Sequence, residues 1–181
     1  MTDYSPYQGT WAIDPTHTRL GFVARHAMVA KVRGQFDDFA GTITIDAANP
    51  SASTAQVTVQ LASVNTGTAD RDAHLRSADF FDVEQNKEMT FTSTGVKQDG
   101  DEFVMLGDLS IKGVTRPVEL TLEPTGVATD PFGNVRAGFE GETELSRKDF
   151  GLTWNVALEA GGVLVSDTIK VQLDVSAVKQ A

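Results

Sequence analysis

The sequence predicts an all-β domain, an antiparallel sheet with one wet face, interrupted once by a helical segment. Three observations carry this. Apolar and polar residues alternate with a period of two along most of the 181 residues. Clusters of Gly, Pro, Asn and Asp separate the alternating runs. One charged, aromatic stretch, "RDAHLRSADFFD" at 71–82, breaks the period. A sheet of about eight strands, apolar on one side, either splits into a sandwich or curls closed into a barrel.

Taken in order, strands are expected at 10–14, in "TRLGFVARH" (18–26), and at 31–37 and 41–46. In the second of these Leu20, Phe22, Ala24 and His26 share a face. "AQVTVQLA" (55–62) places Val57, Val59 and Leu61 together. The break then predicts a helix from Thr68 to Ala78, with Thr66 or Thr68 as N-cap and Asp70 in the first turn. "SADFF" offers a further short turn with Ser77 as its cap. Strands resume at 88–97 and 102–111. "RPVELTLEP" (116–124), "VRAGFEGETELSR" (135–147) and "TIKVQLDVS" (168–176) complete the set. No linker or internal repeat divides the chain, so residues 10–178 read as one domain behind an N-terminal tail, 1–9.

Composition removes several function classes. A net charge of −10 argues against nucleic acid as partner and against broad adhesion to anionic surfaces, leaving room for a local basic pocket. With no cysteine there is no disulfide framework, thiol nucleophile or Cys-based zinc site. The first residues show neither a basic n-region nor an apolar h-region, and no apolar run is long enough to span a bilayer. A cytoplasmic protein that is not integral to a membrane is the expectation, or a secreted one if a leader has been removed. His17, His26 and His74 lack metal-ligand spacing, and no cofactor fingerprint is present. The sites are therefore expected to hold no metal, no cofactor and no catalytic group.

Parity puts polar groups on apolar faces. His26 follows Leu20 and Phe22; Arg147 follows Phe139, Thr143 and Leu145; each then points inward near a strand end, or lies just past that end and faces water. A buried arginine needs a partner, for which Asp149 or a helix acid (Asp70, Asp72, Asp79) is available. Small inward residues, Ala24, Ala137 and Gly141, oppose large ones; that pattern fits a tunnel and fits ordinary large-against-small packing equally.

The segments "WAIDPTHTRLGFVARH", "VRGQFDDFAGTI", "NTGTADRDAHLRSADFFD", "MTFTSTGV", "GDLSIKGVTRPVEL" and "SRKDFGLTWN" run in order through nearly the whole chain. Together they resemble the YceI-like family of lipocalin-like, polyisoprenoid-binding proteins. That resemblance implies an extended eight-stranded antiparallel barrel with a short α-helix capping one end and an apolar tunnel inside. The implied function is non-catalytic binding, transport or sequestration of a polyisoprenoid lipid, either a prenyl pyrophosphate or a prenylated quinone. The candidate ligand-binding residues are Phe22, His26, Arg71, His74, Leu75, Phe80, Phe91, Phe139, Arg147 and Phe150. For His74, ligand contact and a structural hydrogen bond both fit; for Phe80 and Phe81, a core role competes with closing the tunnel. The alternative function is an enzyme acting on a prenyl-type substrate, with His26, His74 and Arg147 as acid, base and anion clamp. A homodimer through strand edges or the helix face is a further expectation.

Overall fold

The computed structural model describes residues 2–159 and 161–181. Eleven strands alternate with short turns: β1 Gly9–Ile13, β2 Arg19–His26, β3 Ala30–Phe36, β4 Phe39–Ile45, β5 Thr54–Gln60, β6 Val64–Asn65, β7 Glu88–Asp99, β8 Glu102–Ile111, β9 Val114–Thr129, β10 Val135–Ser146 and β11 Thr168–Lys179. One α-helix, α1, spans Ala69–Arg76. Hydrogen bonding closes the ring β1-β4-β5-β7-β8-β9-β10-β11 and back to β1, an eight-stranded antiparallel barrel. The sandwich alternative is thereby removed.

Strand β11 serves two partners along its length. Its C-terminal half pairs with β1 (Trp11 opposite Lys179) and its N-terminal half with β2 (Lys170 opposite Val23). β2 carries β3, and β3 carries β6. So β1–β2 and β3–β4 are two long strands, each broken once. The acids Asp37 and Asp38 occupy the second break. Beside this break β3 pairs with β6, and α1 is tied there by Arg76, which donates to the carbonyls of Ala62 and Val64. Leu75 and Phe81 pack against both main core clusters from this position.

Several boundaries differ from the sequence reading for local reasons. The fifth strand stops at Gln60; Leu61–Ser63 forms a 3-10 turn that buries Leu61 completely. β9 runs on to Thr129, past the expected end at 124. Gly138 pairs with Gly126 while Phe139 pairs with Pro124, so Thr125 bulges and the ladder resumes in a new register. α1 is shorter than expected, and Thr68 at its N-cap makes no side-chain cap bond. Asp72 does the tying instead: its carboxylate accepts from Thr66 N–H (2.8 Å) and Thr66 hydroxyl (2.6 Å). The turn at Ser77 forms as expected, with Phe80 N–H donating to the Ser77 carbonyl.

Ser5–Tyr7 forms a 3-10 turn, and Tyr7 is buried with Trp11, Ala137 and Ala177. Trp11 is 0% exposed and donates Nε1–H to the Tyr7 carbonyl at 2.8 Å. Tyr4 stacks edge-on against Phe103 at 5.1 Å. These tyrosines stopper the end of the barrel opposite α1. Ala137, expected to line a lumen, is instead packed under this stopper.

Candidate functional site

Inside the ring lies one long apolar cavity of about 660 Å³. That is within the ~300–1,000 Å³ typical of ligand pockets. It extends from Tyr4, Tyr7 and Phe103 at the tyrosine end to His26, Arg71, His74 and Trp154 at the helix end. Between the ends the lining is apolar apart from Thr143. Inward-facing Leu20, Phe22, Leu120, Leu122 and Leu173 are only half-buried, because they face this lumen and not one another. Phe22, Phe91 and Phe139 all line it.

Glycine keeps the lumen clear. A Cβ at Gly34 would collide with the ring of Phe22 directly across the ladder. One at Gly107 would collide with the ring of Phe91. Each glycine lets a phenylalanine lie flat along the wall. Large-against-small packing and a tunnel, posed as alternatives, turn out to be one arrangement.

All ten candidate residues border this cavity. Phe80, Phe91 and Phe150 are buried wall residues; Phe22, Leu75 and Phe139 are half-buried. His26 is exposed at the end of β2, where it bridges Val165. Arg71 is half-buried and fixed by Thr66: Nε donates to the hydroxyl (2.7 Å) and Nη2 to the carbonyl (2.9 Å). His74 makes the structural bond, its Nε2 lying 2.8 Å from Asp79 Oδ2. Its ring also stands edge-on to Trp154 (4.5 Å) and Phe80 (5.1 Å).

Arg147 lies just past β10, at the start of the 3-10 turn Arg147–Phe150, yet is only 4% exposed, and its partner is not an acid of the helix or Asp149. Nε donates to the Ser166 carbonyl (2.8 Å), Nη1 to those of Leu152 (2.6 Å) and Trp154 (2.9 Å), and Nη2 to that of Val165 (3.3 Å). Four of its five donors are so engaged. Burial lowers its pKa, and the nearby Asp167 charge opposes that. Asp167 is itself held below the usual carboxylate range, chiefly by the Ser146 hydroxyl at 2.6 Å. What Arg147 offers the tunnel is positive charge and a fixed loop more than free hydrogen-bond donors. Of the three groups weighed as acid, base and anion clamp, His74 and Arg147 have structural partners, while the His26 side chain is exposed.

Sequence reasoning missed Tyr4, Tyr7 and Trp154 as lining residues. Both tyrosines of the chain fall in residues 4–7, just ahead of Trp11. Such an aromatic cluster in a supposed tail was the signal available. Also missed was an ion network beyond the tyrosine end. Arg136 pairs with Asp14 (Nη1 to Oδ2, 2.8 Å) and Asp130 (Nε to Oδ2, 2.8 Å). Its guanidinium is the main cause holding Asp14 well below the usual carboxylate range and Asp130 at about 2. His17 belongs to this network through Asp14.

The YceI-like domain model matches residues 11–177. Protein YceI of Escherichia coli O157:H7 is 46% identical over 136 residues, covering 75% of this chain and 71% of that protein. Among solved structures, Burkholderia cenocepacia BcnA superposes with a TM-score of 0.78 at 20% identity, over 91% of this chain and 98% of the other. A polyisoprenoid binding domain from Saccharophagus degradans, implicated in plant cell wall breakdown, superposes with a TM-score of 0.68 at 18% identity, over 94% and 98%. At those identities the last two establish the fold.

Proposed function

The chain belongs to the YceI-like family, and from that premise we propose that it binds a single long-chain polyisoprenoid lipid in the barrel tunnel, without turning it over, to carry or sequester it. The observation that carries this reading is the continuous apolar cavity from the tyrosine end to the helix end. The polyisoprenoid-binding description of the Saccharophagus degradans domain supports the same lipid class.

The energetics favour length. Each methylene buried contributes about 0.8 kcal/mol, whereas association costs ~4–15 kcal/mol in lost freedom. Ten chain carbons supply roughly 8 kcal/mol and bind weakly; longer chains gain with each isoprene unit. The headgroup lies at the helix end, where Arg25 and His26 are exposed and Arg71 is half-buried. These groups, with the charge of Arg147 behind them, suit a phosphate or a quinone oxygen.

Native mass spectrometry of protein purified from its own source tests the reading. A co-purifying prenyl lipid is expected. So is a rise in affinity with chain length when prenyl alcohols are added to stripped protein. Val171→Trp, which places a large ring in the lumen opposite Phe22, is expected to shorten the longest chain accepted. Stripped wild-type protein that takes up no prenyl chain of any length would sink the proposal.

A further inference from the structure

We propose that the face of the barrel carrying the β2–β3 hairpin docks on an anionic lipid bilayer, with the hairpin tip entering the interfacial layer. Charge is the first ground. Residues 19–36 hold Arg19, Arg25, Lys31 and Arg33 and no acid. The hairpin is therefore +4, and the remainder of a chain of net charge −10 is −14. Register places Arg25 opposite Lys31 and Arg33 opposite Val23, so three cations share the outer face near the tip. All three are exposed, and among the described residues none lies in an ion pair. On the neighbouring strand β11 the one acid, Asp174, stands opposite Arg19 at the end of the hairpin away from the tip; nearer the tip lie Asp167, bonded to the Ser146 hydroxyl, and Glu159 on the adjoining loop.

The tip supplies the second ground. Met28 is 61% and Val29 79% exposed. Beside them stand Val156 and Val163, also exposed, on a loop held to the tip by Ala27 N–H to Leu164 O (2.7 Å). Met28 lies across Gly162 of that loop. Among the described residues, four of the five exposed large apolar side chains thus gather at one spot beside His26 and the tunnel mouth. A soluble face has no use for such a cluster.

The backbone is the third ground. Ala27 and Met28 both have positive φ (50° and 64°), and Val29 N–H donates to His26 O at 3.1 Å. The loop between paired His26 and Ala30 has three residues, and two successive positive φ values in it suit Gly or Asn far better than Ala and Met. An Ala-Met pair held there gives up local stability to present an apolar side chain outward. An apolar tip above a ring of unpaired cations is the pattern of an interfacial anchor.

Only the purpose of this contact, loading or unloading the tunnel, rests on the proposed function; the contact itself does not. Cosedimentation of the full chain with vesicles tests it, comparing phosphatidylcholine alone with an equal mixture of phosphatidylcholine and phosphatidylglycerol. Binding is expected to the mixture only, and to weaken with added salt. Neutralising Arg25, Lys31 and Arg33 together to Gln is expected to weaken it about a hundredfold, from about fivefold per cation. Met28→Ser with Val29→Ser is expected to cost about tenfold, and Phe132→Ser, at the far end of the barrel, to change nothing. Val29→Trp gives a reading that survives if the multiple variants fold poorly: its emission should shift to the blue on the mixed vesicles. Equal binding to both vesicles, hairpin variants that bind as the wild type does, or an unshifted tryptophan would overturn the docking. Prenyl uptake by native mass spectrometry without vesicles separates the two readings. Vesicle binding without uptake leaves docking standing and removes the tunnel lipid; uptake without vesicle binding does the reverse.

Discussion

At the tyrosine end the barrel is closed by packing, and at the helix end by hydrogen bonds and a lid. Trp11 and Tyr7 are buried with Ala137 and Ala177 in a compact cluster. Arg136, Asp14 and Asp130 lock the strands just outside it. At the other end a two-turn helix hangs from Thr66, Asp72 and Arg71, and Arg147 gathers the carbonyls of two loop segments. Exposed Arg25 and His26 edge that mouth. Apolar packing holds a fixed stopper, because opening it exposes large area to water. The helix end also packs Leu75, Phe80 and Phe81 on the core, but the rest of what holds it is polar, and polar contacts open at lower cost because water replaces what is broken. The difference assigns the ends: one is a floor, the other a door.

The largest expected effect breaks the floor. Trp11→Ala deletes a fully buried indole and its bond to Tyr7, and should cost about 3–5 kcal/mol of stability in urea unfolding. His74→Ala on the lid, where the ring is partly exposed, should cost about 1 kcal/mol. Equal losses would mean that the ends are not built differently.

Next in size is the door frame. Arg147→Met fills the volume but leaves four carbonyls without their donor. About 2–3 kcal/mol should be lost, since unpaired buried acceptors cost ~1–3 kcal/mol each and some rehydrate. Hydrogen exchange sharpens the point: amides around 152–156 and 164–166 should exchange faster while those of β1 do not. Uniform acceleration would show that the frame is not local.

The acid limb of the stability curve belongs mainly to the floor, with a smaller share from Asp167 at the helix end. Asp14 and Asp130 have folded pKa values below their unfolded ones, mainly through Arg136. A depressed carboxyl adds stability that is fully present above about pH 4 and is lost as pH falls through the folded values. Urea midpoints should therefore drop between about pH 4 and 2, and Arg136→Met should flatten that drop. An unchanged acid slope in the variant would show that the network carries none of it.

These contrasts also mark what the chain discloses by itself. Period-two runs and turn clusters give the strands, since each wall residue must choose lumen or water. They give the lumen-facing phenylalanines for the same reason. The helix was visible because "RDAHLRSADFFD" breaks the period. What stayed hidden depends on contacts between distant residues. Arg136 meets Asp14 across 122 positions, and no local pattern announces that. For Arg147 the pattern left inside and outside both open; it is buried, and its partners are carbonyls, which every residue carries and no sequence singles out. The Ser5–Tyr7 turn has no periodicity for a sequence pattern to show, although its tyrosine is in plain view.

The smallest effect on stability is the most direct probe of floor against door. Tyr4 is half-buried, touches Phe103 and lines the tunnel at its closed end. Tyr4→Ala should cost only about 1 kcal/mol, because much of the ring is already in water. It leaves Tyr7 and Trp11 in place but removes a wall from the far end of the lumen. If headgroups stay at the helix end, a chain enters tail first and its length is measured against the tyrosines. The variant should then accept prenyl chains longer than the wild type does, with affinity for short chains unchanged. Prenyl alcohols of increasing length, titrated by native mass spectrometry, read this directly. A variant that gains affinity for short and long chains alike, or loses both, would mean that the tail does not reach the tyrosine end.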